Sequence, residues 1–264
     1  MSPDDAVARL AADPASTALL LDFDGTLAPI VADPATSMLY PELDETLGAL
    51  ADAYRVVAVI SGRPVEFLTD RIQSEGVLLD GLYGLSTYRD GVTRLHPDVQ
   101  PWLPQVALAR EFLEAEVGRH EGLSLEDKGL SVALHWRNTD DHAAAEGAAT
   151  DLIAQARERT GLSEEPGKLV LELRPPVDHD KGSAVRALVA EYHPSVCGYM
   201  GDDLGDLPAF AAVAETGGVN VLVDHGNETP GRLRRAADVA LPGVGAAAAF
   251  LGALAAHAAE GPDN

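Results

Sequence analysis

Asp22 and Asp24 stand two residues apart in the string Leu19-Leu20-Leu21-Asp22-Phe23-Asp24-Gly25-Thr26-Leu27, where an apolar run gives way to a polar turn. A carboxylate at such a tip can hold a hard cation such as Mg²⁺ and attack a phosphorus centre, giving an aspartyl-phosphate. A second carboxylic acid nearby can protonate the leaving oxygen and then take a proton from the water that cleaves the intermediate. Gly25 lets the backbone turn and aim amide N–H groups at phosphate. One Asp-Gly pair after a strand is an ordinary polar turn. The full string is not.

A second acidic group, Gly201-Asp202-Asp203 through Asp206, follows another apolar run. Alone it reads equally well as the N-cap of a following helix; beside the first tip it reads as further metal ligands, with Asp203 and Asp206 as ligands or as groups orienting them. Ser61-Gly62 ends a third run and offers a hydroxyl and an amide to a phosphate oxygen. Lys181 opens a helical pattern, where an ammonium meets phosphate favourably. Lys128, Lys168 and Lys181 are the only lysines in a chain otherwise rich in Arg, which singles out positions needing a compact cation. Lys168, in a Pro-Gly turn, reads as a chance lysine.

The elements that must position these groups follow from hydrophobic pattern. Ala18–Phe23, Val56–Ile60 and Val196–Met200 are short unbroken apolar runs, the signature of strands buried on both faces of a parallel sheet. A helical stretch from Pro41 to Tyr54 lies between the first two, and Val185, Leu188, Val189 and Tyr192 share one helix face after Lys181. Strands alternating with helices predict a doubly wound α/β core, whose ligands sit beyond the carboxyl ends of the strands. The middle of the chain differs. Helices over Pro101–Val117 and Asp140–Thr160, a hairpin of Leu123–Asp127 and Ser131–Arg137, and a strand over Leu169–Leu173 predict a smaller α+β unit. Prolines place its limits at residues 99–176, leaving 1–98 and 177–264 as a discontinuous core.

Composition narrows the chemistry. Among 264 residues, 42 acidic and 19 basic side chains leave a net charge of −23, which disfavours nucleic acid or anionic membrane as partner but not a small anionic substrate in a locally positive pocket. Hydrophobic residues make up 46% of the chain, ample for a core. Cys197 stands alone and forms no internal disulfide, in keeping with a reducing compartment. Met1–Asp5 lacks the basic start of a secretory leader, and the Ala-rich Gly243–Ala259 stretch reads as a docked C-terminal helix. The expectation is a soluble cytoplasmic protein with no obligate protein partner.

In order and spacing, Asp22-Phe23-Asp24-Gly25-Thr26, Ser61, Lys181 and Asp202-Asp203 with Asp206 resemble the motifs of haloacid dehalogenase-like phosphohydrolases. The resemblance implies Asp22 as nucleophile and Asp24 as general acid/base. It also implies Mg²⁺ held by the Asp22 carboxylate, the Asp24 backbone carbonyl and Asp202, with Ser61 and Lys181 on the phosphoryl oxygens. A longer resemblance, to the trehalose-6-phosphate phosphatases, covers nearly the whole chain. Leu21–Ile30 is similar to that family's opening, and Val59-Ile60-Ser61-Gly62-Arg63-Pro64 to its second block. Glu126-Asp127-Lys128-Gly129, Ser131, His135-Trp136-Arg137 and Leu171-Glu172-Leu173-Arg174-Pro175-Pro176 resemble its cap signature.

It follows from this resemblance that Gly25, Thr26, Gly62 and Arg63 serve the phosphate end of a substrate, and Glu126, Lys128, His135, Arg137 and Glu172 hydrogen-bond its sugar hydroxyls. Ala133, His135 and Arg137 alternate and are expected on one strand face. Gly205 and Leu207 stand where the family commonly has Thr and Glu, and Tyr83 and Ser86 where it usually has His and Glu. The implied activity is Mg²⁺-dependent release of phosphate from trehalose 6-phosphate. Alternatives at this stage are another sugar phosphate (sucrose 6-phosphate or a mannosyl-glycerate phosphate), a phosphohexomutase, or a non-catalytic sugar-phosphate sensor.

Overall fold

Unbroken runs of Leu, Val and Ile fold here as parallel strands covered on both faces. In the computed structural model, which describes residues 1–167 and 169–260, the chain forms two units, Met1–Arg94 with the chain from His179 onward, and Leu95–Asp178. Lys168 lies outside the described residues.

The first unit begins with α1 (Pro3–Ala11), β1 (Thr17–Leu21), α2 (Leu43–Ala53), β2 (Val56–Ile60), α3 (Val65–Thr69), β3 (Val77–Gly81), β4 (Ser86–Arg89) and β5 (Val92–Leu95). The second unit contains α4 (Leu103–Val117), β6 (Ser124–Asp127), β7 (Val132–His135), α5 (His142–Thr160), β8 (Ser163–Gly167) and β9 (Val170–Arg174). The chain then returns through α6 (Lys181–Tyr192), β10 (Val196–Gly201), α7 (Leu207–Glu215), β11 (Val219–Asp224), α8 (Gly231–Ala236), β12 (Val239–Pro242) and α9 (Gly243–Glu260).

Strand order in the large sheet is β12-β11-β10-β1-β2-β3-β4-β5. The pairs from β12 to β3 are parallel, and β3 pairs β4 antiparallel. Alternate residues go to opposite faces. Leu19, Leu21, Val57, Val59, Val221 and Val223 pack with Leu10, Leu47, Phe250 and Leu254 of α1, α2 and α9. Ala18, Leu20, Ala58 and Ile60 pack with Val185, Leu188, Phe210 and Val213 of α6 and α7. From β1 the chain proceeds outward to β2 and β3 on one side, then returns to β10 on the other. That reversal opens a crevice at the carboxyl ends of β1 and β10, where the doubly wound fold places its ligands. No helix among the described residues is long and apolar enough to cross a membrane.

In the second unit, an antiparallel sheet of order β6-β7-β9-β8 carries α4 and α5 on one face. Val132, Leu134, Leu171 and Leu173 point to those helices and form the core with Val106, Leu113, Leu152 and Ile153. The opposite face is polar. β7 ends at His135, because Arg137 already belongs to the following turn; the expected alternation of Ala133, His135 and Arg137 therefore stops one step short.

Asp80 on β3 is buried against β4, where Thr87 lies opposite and donates its hydroxyl to Oδ1 at 2.7 Å. Burial pushes the Asp80 carboxyl up to about 6, with the Thr87 hydrogen bond opposing. The folded protein thus binds this proton more tightly than the unfolded chain. The associated stability is full below the ordinary carboxylate range and is lost as pH rises through about 6. Asp80→Asn keeps an acceptor for Thr87 without the charge. Urea unfolding should show the variant gaining over the parent by about 1 kcal/mol more at about pH 8 than at about pH 5. A difference independent of pH would contradict this account.

Candidate active site

The backbone of β1 continues one residue past its last strand position, because the Asp22 N–H donates to the Met200 carbonyl at 2.9 Å. Asp22 therefore sits at the tip of β1 beside the tip of β10, whose Gly201 leads into Asp202. Lys181 is the first residue of α6, whose N-cap Asp180 forms a reciprocal capping box with Ser183. Lys181 is only 5% exposed, and its ammonium donates to Asp22 Oδ1 at 2.6 Å and to Asp206 Oδ1 at 2.6 Å.

Asp206 is fully buried and organises the second acidic loop. Oδ1 also accepts from the Tyr199 hydroxyl at 2.7 Å, and Oδ2 accepts from the Asp202 and Asp203 amides, each at 2.9 Å. The Asp203 carboxylate accepts from the Gly205 amide at 2.8 Å and so caps the short turn Leu204–Asp206. The Thr26 hydroxyl makes a long contact, 3.5 Å each, to Asp22 Oδ2 and Asp202 Oδ1.

Ligand oxygens of Asp22, Asp202 and Asp206 lie within 4.8 Å of one another. Three carboxylates around one ammonium leave uncompensated negative charge in a dry place. Burial pushes the Asp22 carboxyl well above the usual range, with Asp206 and Asp202 adding to the rise and Lys181 opposing it. Burial, then repulsion from Asp206 and Asp203, pushes Asp202 up to about 7. Burial works against the Lys181 charge, yet Asp22 and Asp206 outweigh it and hold the ammonium above the ordinary lysine range. Oxygen donors with excess negative charge suit a hard divalent cation, so the residues fit Mg²⁺. The fit is uneven. Asp22 and Asp202 keep carboxylate oxygens available, whereas Asp206 is taken by four donors. The Asp203 side chain stands outside this cluster, and Asp24 was expected to contribute only its backbone carbonyl.

Asp24 is clamped instead. Arg63 Nε donates to Oδ2 at 2.7 Å and Nη2 to Oδ1 at 2.9 Å, while the Ser37 hydroxyl donates to Oδ1 at 3.0 Å. Arg63 also lies over the Phe67 ring, 4.2 Å from its centroid. The guanidinium expected at phosphate thus holds the second carboxylate. Ser61, buried after β2, is fixed by its amide donating to the Asp80 carbonyl at 2.9 Å. At Gly62 a Cβ would come within 2.7 Å of the Tyr83 hydroxyl, so glycine leaves that ring its place. Gly25 serves space as well as turning: at φ +79° its missing Cβ would fall 2.1 Å from Asp202 Oδ2. Its own amide donates to the Ala28 carbonyl at 2.8 Å, which holds the turn closed.

The cap-signature residues gather on the polar face of the second unit's sheet. Strand register sets Glu126, Ala133, Glu172 and Glu165 in one row across β6, β7, β9 and β8. Lys128 Nζ donates to Glu172 Oε2 at 2.5 Å, Ser131 Oγ to Glu172 Oε1 at 2.6 Å, and His135 Nε2 pairs Glu126 Oε2 at 2.8 Å. Arg137 stands exposed in the turn after β7. Missed by sequence reasoning were Tyr199, hidden inside an apolar run, Ser37, far from any motif, and His225, in the Asp224-His225-Gly226 turn at the end of β11.

A model of the trehalose-phosphatase family matches residues 20–242, from β1 through β12. The chain belongs to the trehalose-phosphatase family. It is 33% identical over 244 residues to a trehalose-phosphate phosphatase of Mycobacterium marinum, covering 90% of this chain and 61% of that relative, so it spans about three-fifths of the longer protein. The fold is similar to a trehalose-6-phosphate phosphatase related protein at a TM-score of 0.76 and 22% identity, covering 93% of this chain and 100% of the other. The C-terminal domain of a C. albicans trehalose-6-phosphate phosphatase aligns at a TM-score of 0.69 and 21% identity, with 95% of each chain covered. The acidic loops of this trehalose-phosphatase family chain are held in shape by Asp206. Asp206→Asn sets an amide against at least two of four donors and leaves the Lys181 charge poorly matched. It should cost about 3–5 kcal/mol in urea unfolding; a loss below about 1 kcal/mol would show that Asp206 is not the organising group.

Proposed function

We propose that this chain is a Mg²⁺-dependent phosphatase that releases phosphate from trehalose 6-phosphate through an aspartyl-phosphate on Asp22. The observation that carries the reading is the convergence of the Asp22 and Asp202 carboxylates with the Lys181 ammonium at the strand-order reversal, in a chain of this family. Asp22, Asp202 and the Asp24 backbone carbonyl would hold the ion. When bound, Mg²⁺ supplies positive charge to the phosphoryl oxygens and to the two carboxylates.

The chain's own residues do the rest. An Asp22 carboxylate oxygen attacks phosphorus, the bond from phosphorus to the sugar oxygen breaks, and Asp24 gives its proton to that oxygen. Lys181 and Ser61 donate to the phosphoryl oxygens as charge moves between attacking and leaving atoms. Water then attacks the phosphorus of the acyl phosphate and gives its proton to Asp24. Phosphate leaves, and Asp22 is regenerated as carboxylate. For each proton transfer Asp24 must exchange its contacts with Arg63 and Ser37 for the sugar oxygen or water, so Arg63 acts as a holder of the acid/base rather than as a phosphate ligand. Glu126, Lys128, His135, Arg137 and Glu172 take the sugar hydroxyls, carboxylates accepting and cations donating.

Purified protein with Mg²⁺ and a panel of phosphorylated sugars should release phosphate and free trehalose from trehalose 6-phosphate. Asp22→Asn should abolish turnover with fold and substrate binding intact, and wild-type-like turnover in that variant would end the mechanism. Asp24→Asn should lower kcat by about 10²–10⁴-fold. Glu172→Ala tests the substrate: it should raise KM for trehalose 6-phosphate by about 10-fold or more and leave KM for p-nitrophenyl phosphate nearly unchanged. Equal effects on both substrates would exclude a sugar-reading role.

A further inference from the structure

His225 is absorbed by none of the motifs, yet its ring faces both acidic loops. Nε2 lies 2.9 Å from the Gly25 carbonyl and 3.4 Å from Asp202 Oδ2. A carbonyl oxygen only accepts, so Nε2 carries the hydrogen and the imidazole is the donor. The ring is presented by a braced turn. Asp224 is gripped by Arg234 through two contacts of 2.6 Å and accepts from the Gly226 amide at 2.8 Å, and the His225 amide donates to Thr229 Oγ1 at 2.8 Å. The side chain is 21% exposed, which leaves the ring packed on one side and pointed inward.

Asp202 needs such a partner. Its carboxylate lies against Gly25, at the one place where that loop has no Cβ. Besides His225, its oxygens meet the Asp22 carboxyl and, at 3.5 Å, the Thr26 hydroxyl. Within its own loop, Gly205 and Leu207 carry no side-chain donor. A carboxylate ligand free to rotate loses affinity for its ion, because each binding event must first stop that rotation.

We propose that His225 is a positioning residue which fixes the Asp202 carboxylate and the Gly25 peptide in the geometry that receives the divalent cation. The inference rests on the reading of this site as a Mg²⁺ site. Reaching from a neighbouring strand tip, the ring hydrogen-bonds the loop after β1 and stands 3.4 Å from the carboxylate of the loop after β10, so the cation finds its ligands preset.

The test is titration calorimetry with Mg²⁺ alone on the full chain, without substrate, for the parent, His225→Ala and His225→Gln. Glutamine places an N–H close to where Nε2 stands; alanine removes it. Expected is a Kd for Mg²⁺ raised by about 10-fold or more in the alanine variant, with most of the loss recovered by glutamine. In turnover assays, the half-saturating Mg²⁺ concentration should rise in the same order while kcat at saturating Mg²⁺ changes little. Parent-like Mg²⁺ affinity in His225→Ala, or a glutamine variant as weak as alanine, overturns the proposal. A parent protein that binds no Mg²⁺ overturns instead the metal reading beneath it, so the two failures are told apart.

Discussion

The Lys181 ammonium, shared at 2.6 Å by Asp22 and Asp206, is the contact on which the arrangement of the site depends. It joins the start of α6 to the tip of β1 and to the loop after β10, three segments remote in sequence. Burying carboxylates so close together is unfavourable unless a cation sits among them, and burying the cation is unfavourable without them. Asp206 spends its acceptors on Lys181, Tyr199 and two backbone amides, so it behaves as part of the frame. Asp22 and Asp202 have fewer donors than Asp206 and face the strand tips with their carboxyls. One arrangement thereby separates two kinds of aspartate that look alike in sequence.

A similar division holds for the arginine and glycines. Arg63 lies in the second block beside Ser61, where a cation is expected at phosphate, but its fork matches the Asp24 carboxylate and takes both oxygens. Gly25, expected for the turn it permits, is also a clearance, since any side chain there would overlap Asp202. Each residue is where the pattern puts it, with a partner that the pattern does not name.

The core strands were legible because burial on both faces leaves an unbroken apolar run, as in Val56–Ile60, where expectation and structure share both ends. β8 (Ser163–Gly167) was not. It is a polar edge strand containing Pro166 and two glutamates, held by pairing with β9 rather than by burial, so no periodicity marks it. The α5 helix was legible from its Asp start, and Asp141 does accept from the Ala144 amide. The strand around His135 was read too long, because alternation continues in sequence after the ladder has ended.

By itself the sequence determined the α/β class, the strand tips that end in Asp22, Ser61 and Asp202, and the helix that opens on Lys181. These are local facts, written in hydrophobic runs and the polar residues that stop them. Only the tertiary structure decided that β1 and β10 are neighbours, that Asp206 faces inward, that Arg63 grips Asp24 and that His225 reaches Gly25. Those depend on strand order and register, which are set by packing of the whole chain. A contact between residues 200 positions apart has no local energetic signature for a single sequence to carry.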